Sequence, residues 1–268
     1  MQLSNTRPIA LAVALAASAI GSAANAYVVL DNFSGGAQSV FTTSTADYTT
    51  SISGQTSIAS TSPIAAMGMR MANVSWSTAF NQNGLLTEAQ QLARVAGFSV
   101  DSNAGLGIFS FDGRLATANI GLAYNAAAGQ SVDFGALGTG LRLDGALTGL
   151  SGATNAFFQN LSLDVRITDN AGITANHTWF ANELTGGFGG LANPLEADFS
   201  AFLPAFDYQT LDLSSIVSLE INLSYNYTGF ALAPQVSGEY QLGSVSFVPA
   251  PGALALLGLA GLTRRSRR

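Results

Sequence analysis

The residue types that perform most protein chemistry are scarce in this 268-residue chain. It has no Cys, no Lys and one His. The missing Cys excludes disulfides, thiolate metal sites and a Cys nucleophile, and the missing Lys argues against a Schiff base or a P-loop. His177 is the only base available to a Ser-His-Asp triad, and no Gly-x-Ser-x-Gly elbow accompanies it. We therefore expect His177 to be a hydrogen-bonded or surface residue of a strand.

Carboxylates offer the remaining chemistry. The 16 acidic residues leave a glycan hydrolase or lyase open as an alternative, because a glycosidase needs two carboxylates about 5–10 Å apart. The turn-like stretch from Asp101 to Gly105 spaces oxygen ligands as calcium sites do, and Asp112 follows it. The calcium candidates are thus Asp101, Asn103 and Asp112. Such a turn needs no metal, however, and the Glu that would complete an EF-hand is absent, so we predict no cofactor.

The charges are distributed unevenly along the chain. All 16 acidic residues and only five of the ten Arg lie in residues 27–248, which gives that stretch a formal charge of −11. The other five Arg lie near the two ends. A body with this charge repels phosphates, so nucleic-acid binding is not expected. The two basic ends are typical of targeting segments.

Residues 1–26 have the three parts of a secretory signal peptide. Arg7 provides the positive charge, residues 8–20 form the apolar region, and Ala24 and Ala26 are the small residues that signal peptidase requires. We predict cleavage before Tyr27. An N-terminal membrane anchor is the alternative, although the apolar region is shorter than the roughly 20 residues that a span needs.

The final 21 residues, VPAPGALALLGLAGLTRRSRR, also have three parts. Pro249 and Pro251 hold the backbone extended around Ala250. A short apolar run, residues 252–262, can form a hydrophobic helix that enters a bilayer and anchors the chain transiently. The basic terminus keeps the tail on the cytoplasmic side; it consists of Arg264, Arg265, Arg267 and Arg268.

This tail resembles the PEP-CTERM sorting signal of exopolysaccharide-producing bacteria. Pro249 and Pro251 match the two prolines of its motif, and Ala250 stands where the family usually has Glu. The resemblance implies recognition by exosortase, a membrane-embedded Cys enzyme, followed by release or attachment of the body at the cell surface or in the extracellular matrix. A simple C-terminal tail anchor is the alternative.

The stretch between the two signals, residues 27–247, has the pattern of a single β-rich domain. Apolar and polar residues alternate from Leu161 to Thr168 and from Leu219 to Thr228, as in strands with one buried face. An Asp-Asn-Ala-Gly turn after Thr168 leads into a partner strand ending at Phe180. We expect seven shorter strands, at 27–30, 68–75, 94–100, 107–111, 117–124, 141–148 and 241–248, while residues 87–95 have modest helical character.

This pattern predicts an all-β fold, an antiparallel β-sandwich, with a closed barrel as the nearest alternative. The opening VVLDNFSGG, the central FDG and the closing strand resemble the jelly-roll bodies that often precede this sorting tail.

Residues 182–208 form the longest segment without a clear strand pattern. Its aromatic residues are Phe188, Phe199, Phe202, Phe206 and Tyr208. Such a segment either forms a platform on which sugar rings stack or closes one end of the sandwich as a hydrophobic lid. Buried Phe residues would exclude the platform.

Taken together, the residues predict a non-enzymatic, exported bacterial protein with a structural or adhesive role in an exopolysaccharide matrix. Its expected partners are signal peptidase and exosortase during export, and extracellular polysaccharide afterwards. A carbohydrate-binding module with a defined glycan groove is the first alternative, and the glycan hydrolase or lyase is the second.

Overall fold

A computed structural model describes most of the body of the protein. The described residues are 27–43, 52–59, 67, 69–78, 95–113, 116–151, 161–184, 194–206, 208–227 and 236–250. The predicted signal-peptide residues Ala24 and Ala26, Pro251 and the terminal arginines lie outside these ranges. The described part contains no helix that is long and apolar enough to cross a membrane.

The described chain is built mainly from strands. They are β1 (Val28–Asp31), β2 (Ser39–Thr43), β3 (Ile52–Ala59), β4 (Met69–Thr78), β5 (Val95–Asp101), β6 (Leu106–Gly113), β7 (Ala116–Asn125), β8 (Gly140–Ser151), β9 (Leu161–Asp169), β10 (Thr174–Phe180), β11 (Leu195–Asp198), β12 (Leu203–Pro204), β13 (Ile216–Tyr227) and β14 (Val236–Val248). Two short α-helices, α1 (Phe134–Leu137) and α2 (Ala181–Leu184), and two 3₁₀ turns, Phe199–Ala201 and Leu213–Ser215, connect them.

The strands form two seven-stranded antiparallel sheets. The first sheet has the order β11-β8-β14-β6-β5-β2, and the second has the order β12-β10-β9-β13-β7-β4-β3. Strand β1 also belongs to the first sheet and pairs with the last residues of β14, beyond the part of β14 that pairs with β6. The predicted all-β fold with antiparallel sheets is therefore confirmed.

The period-two patterns place the core between the sheets. In β9 the side chains of Leu161, Leu163, Val165 and Ile167 are fully buried, and β13 alternates in the same way. From the first sheet, Phe111 meets Tyr225 of β13 with ring centroids 5.6 Å apart. The predicted hairpin between β9 and β10 is also confirmed, and its turn ends at Gly172 with a φ of 82° that glycine adopts without strain.

Four strands were missed by the sequence patterns: β2, β3, β11 and β12. Each lies at or next to the edge of its sheet, where Ser and Thr replace the apolar alternation or the strand is very short. In β2, Phe41 lies on the outer face over Gly97 of β5, where a Cβ atom would be 1.9 Å from the ring. The helical character expected at 87–95 lies outside the described residues, except that Val95 begins β5.

Candidate functional site

A buried ionic cluster joins the two sheets. Arg70 of β4 is 1% exposed and forms an ion pair of 2.9 Å with Asp31, at the end of β1. Its guanidinium also donates to Gln38 Oε1 at 2.9 Å and to the carbonyls of Gly35 and Gly36 at 3.1 and 2.9 Å. Because its guanidinium already donates to acceptors of the protein itself, Arg70 holds the β1–β2 connection in place and is not available to bind a ligand.

The same cluster explains part of the VVLDNFSGG pattern. Asp31 accepts the Tyr124 hydroxyl at 2.9 Å and the Phe33 amide at 2.8 Å. Phe33 has a φ of 54°, which is uncommon for a residue with a side chain, and its ring lies 5.5 Å from the Arg70 guanidinium carbon. Burial, reinforced by the Asp31 charge, raises the pKa of Tyr124 well above its usual range, so its hydroxyl remains a donor.

The predicted aromatic segment divides into two parts, and the first is a lid. Phe199 and Phe202 are 8% and 5% exposed. Phe199 packs against Phe134 and Phe247, with ring centroids 6.0 and 6.5 Å away, and Phe202 lies 5.7 Å from the His177 ring. For these two residues the hydrophobic-lid interpretation is confirmed.

The second part of the segment is exposed. Phe206 and Tyr208 are 54% and 81% exposed, and their rings stack with centroids 5.5 Å apart and an interplanar angle of 19°. Leu203, just before them, is 67% exposed. The two rings are stacked on each other and largely exposed to water, so the face of each ring that is turned away from its partner can receive a sugar ring. The sequence alone could not separate this pair from the lid.

His177 is a hydrogen-bonded strand residue, as predicted. Its Nδ1 lies 3.3 Å from the Ala201 carbonyl, and its ring meets Trp179 edge-on with centroids 4.6 Å apart. The contacts of His177 with the Ala201 carbonyl and with aromatic rings hold the 3₁₀ turn Phe199–Ala201 against β10.

Two carboxylates meet around Arg142 of β8, on the outer face of the first sheet. Arg142 donates to Asp144 at 2.8 Å and to Glu196 at 2.7 Å. Partial burial would raise the pKa of Asp144, but hydrogen bonds from Arg142 and Ser244 outweigh it and lower that pKa. A glycosidase acid needs a raised pKa, so Asp144 does not fit that role.

The same Arg142 holds the beginning of the body. Its guanidinium carbon lies 4.6 Å from the centre of the Tyr27 ring, and Nη1 donates to the Tyr27 hydroxyl at 3.1 Å. The next residue, Val28, pairs with Phe247 of β14. We call the end of the sandwich at which Val28, Phe247 and Gly140 lie the tail end.

The calcium candidates are separated by the strand register. Asp101 and Asn103 lie in the β5–β6 turn, where Asp101 Oδ1 accepts the amides of Asn103 and Ala104 at 3.0 and 3.1 Å. Asp112 pairs with Val95 at the opposite end of that hairpin, whereas Asp101 pairs with Leu106. The described residues contain no group of three His, Cys, Asp or Glu side chains that could hold a metal.

A row of short polar residues crosses the outer face of the second sheet. Strand register places Thr178, Asp164, Asn222, Gly121 and Asn73 side by side on five adjacent strands. We call this the polar row. The sequence patterns predicted a solvent-exposed face for two of these strands, but they could not predict that these five residues lie next to one another.

Pro249 and Ala250 of the predicted sorting motif follow β14 without regular structure. The last residue of β14, Val248, accepts a hydrogen bond of 2.9 Å from the Thr139 amide. The motif therefore starts directly after the last hydrogen-bonded residue of the final strand.

Neither a known protein family nor a curated protein matches the sequence. Among solved structures, the chain is similar to an agarase, AgWH50C (10% identity, TM-score 0.35, covering 65% of this chain and 25% of that one). It is also similar to PfGH50B (11%, 0.32, 52% and 20%) and to an exo-beta-agarase (13%, 0.30, 54% and 20%). The chain thus spans a quarter or less of each, and these TM-scores are too low to establish a shared fold.

Proposed function

We propose that this chain is an exported, non-enzymatic surface protein, whose tail directs exosortase processing and whose body has a structural or adhesive role in an exopolysaccharide matrix. The observation that carries the proposal is the position of the two ends of the body. Val28 and Phe247 are antiparallel partners, so the predicted signal peptide and the predicted sorting tail both leave the body at the tail end. A body held in this way can remain folded while its tail is in a membrane.

The contacts at the tail end support this arrangement. Tyr27, the first residue after the predicted cleavage site, is held by Arg142. On the other side, the Thr139 amide holds Val248 immediately before the Pro-Ala-Pro motif. Processing at the motif would therefore leave the whole sandwich intact. The jelly-roll-like description of the body is likewise part of the proposal, and the two antiparallel sheets support it.

Exosortase processing can be tested by expressing the full chain in a host that has exosortase. An epitope inserted at Gly129 would detect the body without touching either end, because this glycine lies in an exposed turn with nothing within 4 Å of the position of a Cβ. We expect a shortened product in the envelope or medium, and an unshortened, membrane-bound product for the Pro249→Ala, Pro251→Ala variant. Pro204→Ala, which changes a proline of β12, is the matched control.

Unchanged processing of the double proline variant would refute the sorting proposal. Equal loss of processing in Pro204→Ala would also contradict it, because the effect would then arise from the fold rather than from the motif.

A second candidate function, carbohydrate binding, is favoured by the exposed ring pair. Stacked aromatic rings with a large exposed area suit the apolar face of a sugar ring. We expect Phe206→Ala and Tyr208→Ala to weaken retention of the protein in gels that contain neutral polysaccharide. Phe41→Ala removes a ring of similar exposure, 47%, from β2 of the first sheet and serves as the control. Equal retention of all three variants and the unmodified chain would exclude a binding role for the pair.

A further inference from the structure

We infer that the outer face of the second sheet binds an extended, uncharged polysaccharide chain along the polar row. This inference rests on the proposed matrix role and names the surface and ligand class that would serve it. Neighbouring strands are about 4.8 Å apart, so the five strands of the row extend about 19 Å. That length offers one polar contact at each strand to a linear glycan lying across the strands.

The centre of the row is Gly121, a buried glycine flanked by two Asn side chains. A Cβ atom at this position would be 2.3 Å from Asn73 Oδ1 and 2.6 Å from Asn222 Oδ1. The two carboxamide groups therefore lean towards each other over the glycine backbone. Glycine in the middle of a strand typically marks a close approach of another group, and here the two amide oxygens occupy the space that a Cβ atom would fill.

The two Asn side chains beside Gly121 retain hydrogen-bonding capacity. Among the described side chains, neither Asn73 nor Asn222 has a hydrogen-bond partner, so each amide has two donors and an acceptor available. Beside them, the Thr178 hydroxyl donates to Asp164 Oδ1, and Ser162 donates to Asp164 Oδ2 at 3.3 Å. Paired donors and acceptors of this kind match the hydroxyl groups of a sugar, each of which both donates and accepts.

A second row of small polar side chains runs beside the first. The register aligns Ser162, Ser224, Asn119 and Ser75, and at the end of this row Phe180 is the partner of Ser162. The Phe180 ring is 56% exposed. An amide and hydroxyl surface with an aromatic ring at one end provides both contacts that a sugar uses: hydrogen bonds at its edge and stacking on its face.

The charge of this face favours an uncharged ligand. Across the two rows, Asp164 is the only ionisable residue. On the other side of the polar row, the nearest charges, Arg166 and Glu220, pair at 3.8 Å. A polyanion would meet no unpaired cation there and would be repelled by a body of formal charge −11. The two rows therefore present short, uncharged side chains and one carboxylate, Asp164, which already accepts hydrogen bonds from Thr178 and Ser162.

The face is also accessible in the proposed setting. Both ends of the chain leave the body at the tail end, where strands end. The polar row lies elsewhere, on the outer face of the second sheet. A body held through its tail would leave this face open to a matrix glycan.

The test is affinity electrophoresis of the full exported chain, purified from a host without exosortase. The gels would contain a neutral β-glucan, a neutral galactomannan or the polyanion alginate. We expect at least one neutral polymer to retard the chain and alginate to have no effect. The Asn73→Ala, Asn222→Ala variant should bind about tenfold more weakly, because its two substitutions remove the amides that have no partner among the described side chains. Gln241→Ala, a polar-to-Ala change on the other sheet, should bind like the unmodified chain.

Each outcome is decisive. Failure of both neutral polymers to retard the unmodified chain would overturn the inference, as would equal binding by the double Asn variant. Concentration-dependent self-association that the double Asn variant abolishes would instead identify the face as an interface between copies of the chain. Because none of these measurements depends on the tail, they can fail while tail processing succeeds, and the reverse also holds.

Discussion

The Arg70 cluster provides the sharpest test of how the body is held together. We consider Arg70→Met, which keeps a long apolar stem and removes the guanidinium. Arg70 donates to four acceptors at 2.9–3.1 Å, of which one is the carboxylate of Asp31. Asp31 is 2% exposed, so without Arg70 its charge would be buried without a counter-ion.

The expected loss of stability is large. Removing one partner of a buried ion pair costs about 3–5 kcal/mol. Against a typical free energy of unfolding of about 5–15 kcal/mol, this is a large share of the total. For a body of this size we expect the midpoint of thermal unfolding to fall by about 10 °C.

The measurement is urea unfolding followed by the fluorescence of the two Trp residues, of which Trp179 is buried in the core. Arg142→Met is the matched control, because Arg142 is also an ion-paired Arg, with two carboxylates where Arg70 has one, but its side chain is 21% exposed. We expect this control to lose about 1 kcal/mol or less. In the Arg70→Met background, Asp31→Asn should restore part of the loss, since it removes the unpaired charge. If Arg70→Met were within about 1 kcal/mol of the unmodified chain, or if Asp31→Asn restored nothing, the buried pair would not be the element that fixes the β1–β2 connection.

Three further predictions follow from described contacts. Phe199→Ala should lower the free energy of unfolding by about 3 kcal/mol because it opens a cavity under the lid, whereas Tyr208→Ala should change it by less than about 0.5 kcal/mol; equal losses in urea titrations would contradict the division of the aromatic segment. Despite the partial burial of Asp144, hydrogen bonds hold the pKa values of Asp144 and Asp212 below the ordinary carboxyl value of about 3.9. The stability that these two ionised carboxylates contribute is therefore complete well above that value and is lost as the pH falls through their lower folded pKa values. The urea midpoint of the unmodified chain should decline when it is measured from about pH 5 downward. The decline should be less steep in Asp212→Asn. Burial also raises the pKa of Tyr240, whose hydroxyl has no partner among the described residues; Tyr240→Phe should leave stability unchanged or raise it by up to about 1 kcal/mol, and a clear loss in calorimetry would reveal a bond to that oxygen.

Sequence patterns succeeded where a strand lies in the middle of a sheet. In β9 and β13 one face meets the core and the other meets water, so the alternation of Leu, Ile and Val with polar residues is strict. They failed at the edges, as in β2, because a strand paired on one side carries a weaker apolar signal. They also failed for Phe199 and Tyr208, since burial of an aromatic side chain depends on which elements fold over it.

By itself, the sequence determined the all-β class, the separation of a weakly charged acidic body from two basic ends, and the absence of Cys and Lys chemistry. These follow from composition and from local periodicity, which need no knowledge of distant contacts. Only the tertiary structure decided what depends on strand register. It paired Arg70 with Asp31, brought Val28 beside Phe247, separated Asp101 from Asp112, and aligned Asn73, Gly121 and Asn222 on one face. Strand register pairs residues that are far apart in the chain, and local sequence patterns do not determine which residues pair.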